Sequence, residues 1–62
     1  MGQQVKVFAA DADRVDVLRW LERNLMPEDV RRWALYGLRQ GRPVELVRPS
    51  ERARVEVRYA DA

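Results

Sequence analysis

Residues 25–43, LMPEDVRRWALYGLRQGRP, carry a whole helix with its start and stop signals attached. Pro27 suits a first helical turn, where its missing N–H had no partner to lose. Glu28 and Asp29 put negative charge at the positive end of the helix dipole. Gly41 fits the left-handed position after the last turn, and Pro43 blocks continuation. The spacing predicts a helix over 27–40, with Val30, Trp33, Ala34, Gly37 and Leu38 as its main apolar stripe. Its middle, Trp33-Ala34-Leu35-Tyr36, is apolar or aromatic round the whole axis. A helix on a small domain needs one apolar stripe, so Leu35 and Tyr36 are surplus to it. Gly37 costs about 1 kcal/mol relative to alanine inside a helix. Its expected role is to let the first helix or an aromatic side chain approach the backbone.

Upstream, residues 10–25 read ADADRVDVLRWLERNL. Asp11 and Asp13 are both candidate caps, and Asp16 adds a third carboxylate to the start of this helix. Val17, Leu18, Leu21 and Leu25 form the expected core stripe, flanked by Val15 and Trp20. Before it, residues 4–9, QVKVFA, alternate as a strand does: Val5, Val7 and Ala9 inward, Gln4, Lys6 and Phe8 outward. Downstream, residues 42–62 read as a hairpin. Val44 and Leu46 alternate with Glu45 and Val47, and Pro49-Ser50 are expected at the centre of the turn. Ala53, Val55, Val57 and Tyr59 then alternate with Arg54, Glu56 and Arg58. Residues 60–62 read as a frayed end.

The whole chain, 1–62, is expected to be a single small domain of α+β class. Its expected architecture has two layers, a helical hairpin packed on a small three-stranded sheet, with element order β-α-α-β-β. The sequence leaves the strand order open. A domain this short buries only about 60% of the surface its unfolded chain exposes. With no cysteine, disulfides are excluded as compensation, which points to association with another chain.

The residue inventory narrows the chemistry. Histidine, cysteine and threonine are absent, and the single serine, Ser50, sits in an expected turn without a partner base. Asp11, Asp13 and Asp16 lack the glycine and terminal glutamate of a calcium loop, and capping explains them. The three glycines are too far apart for a phosphate loop. The expectation is therefore no enzyme, no cofactor and no metal. The charge is nearly balanced, twelve basic against ten acidic residues, and eleven of the twelve are arginine. No stretch approaches the about 20 apolar residues of a membrane span, and no signal peptide is evident, so the expected location is the cytoplasm.

Two classes of function remain. The first is a non-enzymatic interaction module, a homodimer or an adaptor docking on a larger protein. Its expected contact residues are Trp20, Trp33, Leu35, Tyr36, Phe8 and Val47, because a contiguous apolar surplus marks an interface. The second is a small basic nucleic-acid-binding regulator. Arg48, Arg52, Arg54 and Arg58 on or beside the hairpin would supply its charge, diluted by Glu45 and Glu56 on the same face. The strand–helix–helix layout of residues 4–40 is also similar to the ribbon-helix-helix repressors. That resemblance implies an intertwined dimer that lays a two-stranded ribbon in the major groove. It makes Gln4, Lys6 and Phe8 the outward ribbon positions, where Gln and Lys can read base edges. Glu28 and Asp29 depart from that family, whose second helix starts against a phosphate, and the C-terminal hairpin lies outside its minimal pattern.

Overall fold

The computed structural model describes residues 2–60; of the expected frayed end 60–62, Asp61 and Ala62 lie outside them, and Ala60 N–H donates to Pro43 O at 3.0 Å. The elements run β1 (Gln3–Phe8), α1 (Arg14–Arg23), α2 (Glu28–Arg39), β2 (Val44–Arg48) and β3 (Glu56–Tyr59). This is the expected α+β fold in the order β-α-α-β-β. The sheet order is β1-β2-β3, antiparallel throughout, which puts the middle strand of the chain in the middle of the sheet. β1 and β3 are therefore both edges. The two helices cover one face of this sheet, in a slab with extents of 30 × 25 × 15 Å.

The core lies between the layers. Val17 and Leu21 come from α1, Val30, Ala34 and Leu38 from α2, Val44 and Leu46 from β2, and Phe8 from β1. Only part of the stripe expected on α1 is buried. Leu18 turns to the solvent side and Leu25 lies beyond the helix end, 87% exposed. Successive helix positions are rotated by about 100°, so Val17 and Leu21 align while Leu18 falls to one side. Trp33 likewise leaves the expected stripe of α2 and is 52% exposed.

The face assignment of β1 is reversed at its end. Its register to β2 shifts between Gln4 and Lys6, so Val5 is an extra residue in the ladder. A bulge of this kind swaps which side chains point inward beyond it. Val5 still packs against the core, as expected, but Val7 now faces out at 47% exposure and Phe8 faces in at 6%. Phe8 sits opposite Val44 and meets Trp20 edge-on, with ring centroids 5.6 Å apart. An aromatic ring buries more apolar surface than a valine, which favours the bulged arrangement.

The hairpin turn is later than expected. Ala53 N–H donates to Ser50 O at 3.1 Å, which centres the turn on Glu51-Arg52 instead of Pro49-Ser50. β3 accordingly begins at Glu56, three residues after its expected start. Val57 and Tyr59 do oppose Leu46 and Val44 on the core side, as the alternation implies.

Both helix ends follow local chemistry. Of the two candidate caps it is Asp13 that closes α1, its Oδ1 accepting from Val15 N–H at 2.8 Å and Asp16 N–H at 3.3 Å. At the far end, Met26 N–H donates to Leu21 O and Leu25 N–H to Glu22 O. α2 ends in the same way, with Arg42 N–H on Gly37 O and Gly41 N–H on Leu38 O. This paired motif needs a left-handed residue, Leu25 (φ 56°) in one helix and Gly41 (φ 75°) in the other. A side chain there costs about 1–2 kcal/mol. Gly41→Val should therefore destabilise by about that amount, although a Cβ at Gly41 would meet nothing within 4 Å. Leu25→Gly should stabilise by up to about 1 kcal/mol, because glycine relieves the strain but loosens the unfolded chain. Urea midpoints of the two variants should move in opposite directions; movement in the same direction would mean that the two ends are not equivalent.

Tyr59 closes the end of the core beside α2. Its hydroxyl donates to Trp33 O at 2.6 Å, and its ring lies over Gly37. The expected aromatic neighbour of Gly37 is thus Tyr59. Burial pushes the Tyr59 phenol above its ordinary value; nearby Tyr36 adds to the rise and Arg42 opposes it. A raised folded-state value means that the unfolded chain loses this proton first as pH rises. The contribution to stability is complete below about pH 10 and declines above it as pH climbs through the folded value. Tyr59→Phe should lose about 1 kcal/mol at neutral pH and show a shallower decline above pH 10 than the parent. Parallel stability-against-pH curves would refute the role of this phenol.

Candidate functional site

The α2 surface opposite the core is not simply polar. Arg32, Leu35, Tyr36 and Arg39 recur at spacings of three, one and three residues, on a stripe rotated roughly 150° from the core-facing one. Arg14, Val15 and Leu18 on α1 face the same channel. Together these seven residues line an open groove of about 420 Å³ between the helices. Its floor is aliphatic and phenolic, and its rim is three guanidinium groups. Val15, Leu18 and Tyr36 are exposed there, whereas Leu35 is half-buried and also packs against the core.

Local sequence positions each part. The Asp13 cap sets where α1 begins, and helical spacing places Arg14, Val15 and Leu18 on one side of it. The acids of the first turn of α2 and the glycine after its last turn bound a helix of 12 residues, about 18 Å long, along which the stripe runs. Tyr36 is held by aromatic contacts, edge-on to Trp33 at 5.6 Å and tilted against Tyr59 at 6.4 Å.

The groove's charge is one-sided. Arg32 pairs with Glu28 at 3.3 Å, across two well-exposed side chains, so the bond is weak and exchangeable. Among the described residues Arg14 and Arg39 form no ion pair or hydrogen bond. Asp13 and Asp16 lie instead beside a different cleft, with Lys6, Phe8 and Trp20.

The six expected interface residues do not form one patch. Phe8 is in the core and Val47 is buried on the outer sheet face, between its register neighbours Gln4 and Glu56, so neither offers apolar surface. Trp20 is half-buried against Phe8. Trp33 opens onto a separate cleft between α2 and β3, lined also by Asp29, Val55, Glu56 and Tyr59. Leu35 and Tyr36 alone meet in the interhelical groove. The sequence reading missed Val15, Leu18, Arg14, Arg32 and Arg39. The available signal was the second stripe at helical spacing, 32, 35, 36 and 39.

The nucleic-acid positions are also dispersed. The bulge puts Gln4 and Phe8 on opposite faces, so Gln4, Lys6 and Phe8 do not form one outward ribbon face. Gln4 Nε2 donates to Glu45 at 2.6 Å, and Lys6 Nζ stands 5.7 Å from the Phe8 and Trp20 ring centres. Arg54 pairs with Asp29 at 3.3 Å and Arg58 with Glu56 at 3.1 Å, while Arg48 and Arg52 are exposed. Among the described residues no three His, Cys, Asp or Glu side chains come together as a metal site, and no helix is long and apolar enough to cross a membrane.

No protein-family model, curated protein or solved structure matches this chain.

Proposed function

We propose that this chain is a non-enzymatic interaction module of the cytoplasm that docks on another protein chain through α2 and the adjoining face of α1. The observation that supports this most directly is the open apolar groove of Val15, Leu18, Leu35 and Tyr36, of which Leu35 alone also packs against the core. Exposing such a surface is costly to solubility unless a partner covers it. The reading also accords with a chain that carries no histidine, cysteine or threonine and with the pairing of Arg54 and Arg58 to acids.

The test is photo-crosslinking in cells that express the chain naturally. A benzophenone side chain is placed at Leu18 or Tyr36, and at Arg58 on the outer sheet face as a control. Protein adducts, to the chain itself or to another, are expected at positions 18 and 36 and not at 58. Adducts at 58 alone, or none at all, would overturn the proposal. So would recovery of a defined duplex motif from random sequences at moderate salt if it were lost in Gln4→Ala or Lys6→Ala. Uniform weakening of all sequences in Arg48→Ala and Arg52→Ala would point instead to the hairpin as a sequence-indifferent clamp.

A further inference from the structure

We infer that the occupant of the α1–α2 groove is an acidic amphipathic helix belonging to a different protein; this rests on the interaction-module reading and specifies its partner. Three features of the groove carry the inference. Its floor is apolar, its rim holds Arg14, Arg32 and Arg39, and no Asp or Glu lines it. A whole chain of net charge +2 thus gathers three positive charges around one apolar seam.

That charge disfavours a second copy. In a two-fold dimer the same patch meets itself, so each rim would face its own image. Six guanidinium groups would then surround a desolvated seam, and like charges juxtaposed in an interface work against association. An acidic partner meets the same rim favourably, because a guanidinium fork donates two parallel hydrogen bonds to a carboxylate. Nucleic acid suits the floor poorly. Tyr36 is its one ring, and Val15, Leu18 and Leu35 offer no further faces on which successive bases could stack, as single-strand grooves require.

The length points to a helix. α2 extends about 18 Å, room for about three turns of a docked helix with anchors at i, i+3 or i+4, and i+7. Arg32 and Arg39 are seven residues apart, about 10 Å along the α2 axis. A partner helix lying along α2 presents matching charge when its acids are also spaced by seven. The weak Glu28–Arg32 pair yields to such a carboxylate with little loss.

The probe is a displayed library of 16-residue alanine-based helices with leucine at i, i+4 and i+7 and randomised flanking positions, selected on the full chain at low salt. Enrichment of Asp and Glu, including pairs seven apart, is expected, with affinity falling as salt rises. Against a selected peptide, Leu18→Asp and Arg39→Glu should each lose tenfold or more in affinity. A lysine-for-glutamate peptide should recover binding to Arg39→Glu. Both positions are exposed, and circular dichroism melting checks that each variant folds. Enrichment of neutral or basic flanks, no enrichment, or binding indifferent to Leu18→Asp would overturn the inference. A dimer in sedimentation that Leu18→Asp dissociates would also overturn it, yet leave the module reading intact. Absence of crosslinks at positions 18 and 36 defeats that broader reading itself.

Discussion

Gly37→Ala should sharply destabilise the domain, against the helix-propensity trend. In an ordinary helix interior the change gains about 1 kcal/mol. Here the new Cβ would overlap the Tyr59 ring and come within 2.8 Å of Val44 Cγ2. The ring has little freedom to retreat, because its hydroxyl is bonded to Trp33 O and Tyr36 lies beside it. Val44 is fully buried in the central strand and cannot give way either. Overpacking of this severity costs about 2–4 kcal/mol. A domain of this size has a total stability of roughly 3–9 kcal/mol, so the variant should be marginal at room temperature. The urea midpoint measures it. Adding Tyr59→Leu should restore part of the loss and give a positive coupling in the double-mutant cycle. A midpoint that rises in Gly37→Ala alone would mean that Tyr59 does not pack on the helix backbone.

Leu46→Ala should be comparably damaging for the opposite reason. Leu46 has no exposed surface and stands in the middle strand, with Lys6 across one ladder and Val57 across the other. Truncation leaves a cavity beneath both helices and should cost about 2–5 kcal/mol. The matched control is Leu25→Ala, at a leucine that is 87% exposed; it should change stability by less than about 0.5 kcal/mol. Thermal melts of the two variants should therefore differ widely although the same atoms are removed. Equal melts would contradict the packing of the core.

The groove stood half legible in the sequence. Leu35 and Tyr36 were conspicuous because Trp33-Ala34-Leu35-Tyr36 leaves no polar side on that turn of the helix. Their partners on α1 were hidden, since Leu18 lies within a run that also reads as core. Which of Val17 and Leu18 turns inward depends on how α1 rolls against α2 and the sheet. The arginine rim was hidden too, because Arg14 is separated from Arg32 and Arg39 by the rest of α1 and the interhelical turn.

What the sequence by itself determined is the set of elements and the limits of the helices: Asp11 or Asp13 before α1, Glu28 and Asp29 opening α2, Gly41 and Pro43 closing it, and the alternation that turns Val57 and Tyr59 to one face. These signals act between residues within a helical turn or along one strand, so neighbouring side chains suffice to express them. Tertiary structure alone decided the faces and the partners. The bulge at Val5 reverses Val7 and Phe8 because pairing with β2, about forty residues away, sets the register. Arg54 finds Asp29 across 25 positions, and Tyr59 selects Gly37 as its seat. Each of these outcomes is a competition among packings of the whole chain, in which burying one ring outweighs a locally regular pattern, and no short window of sequence contains both competitors.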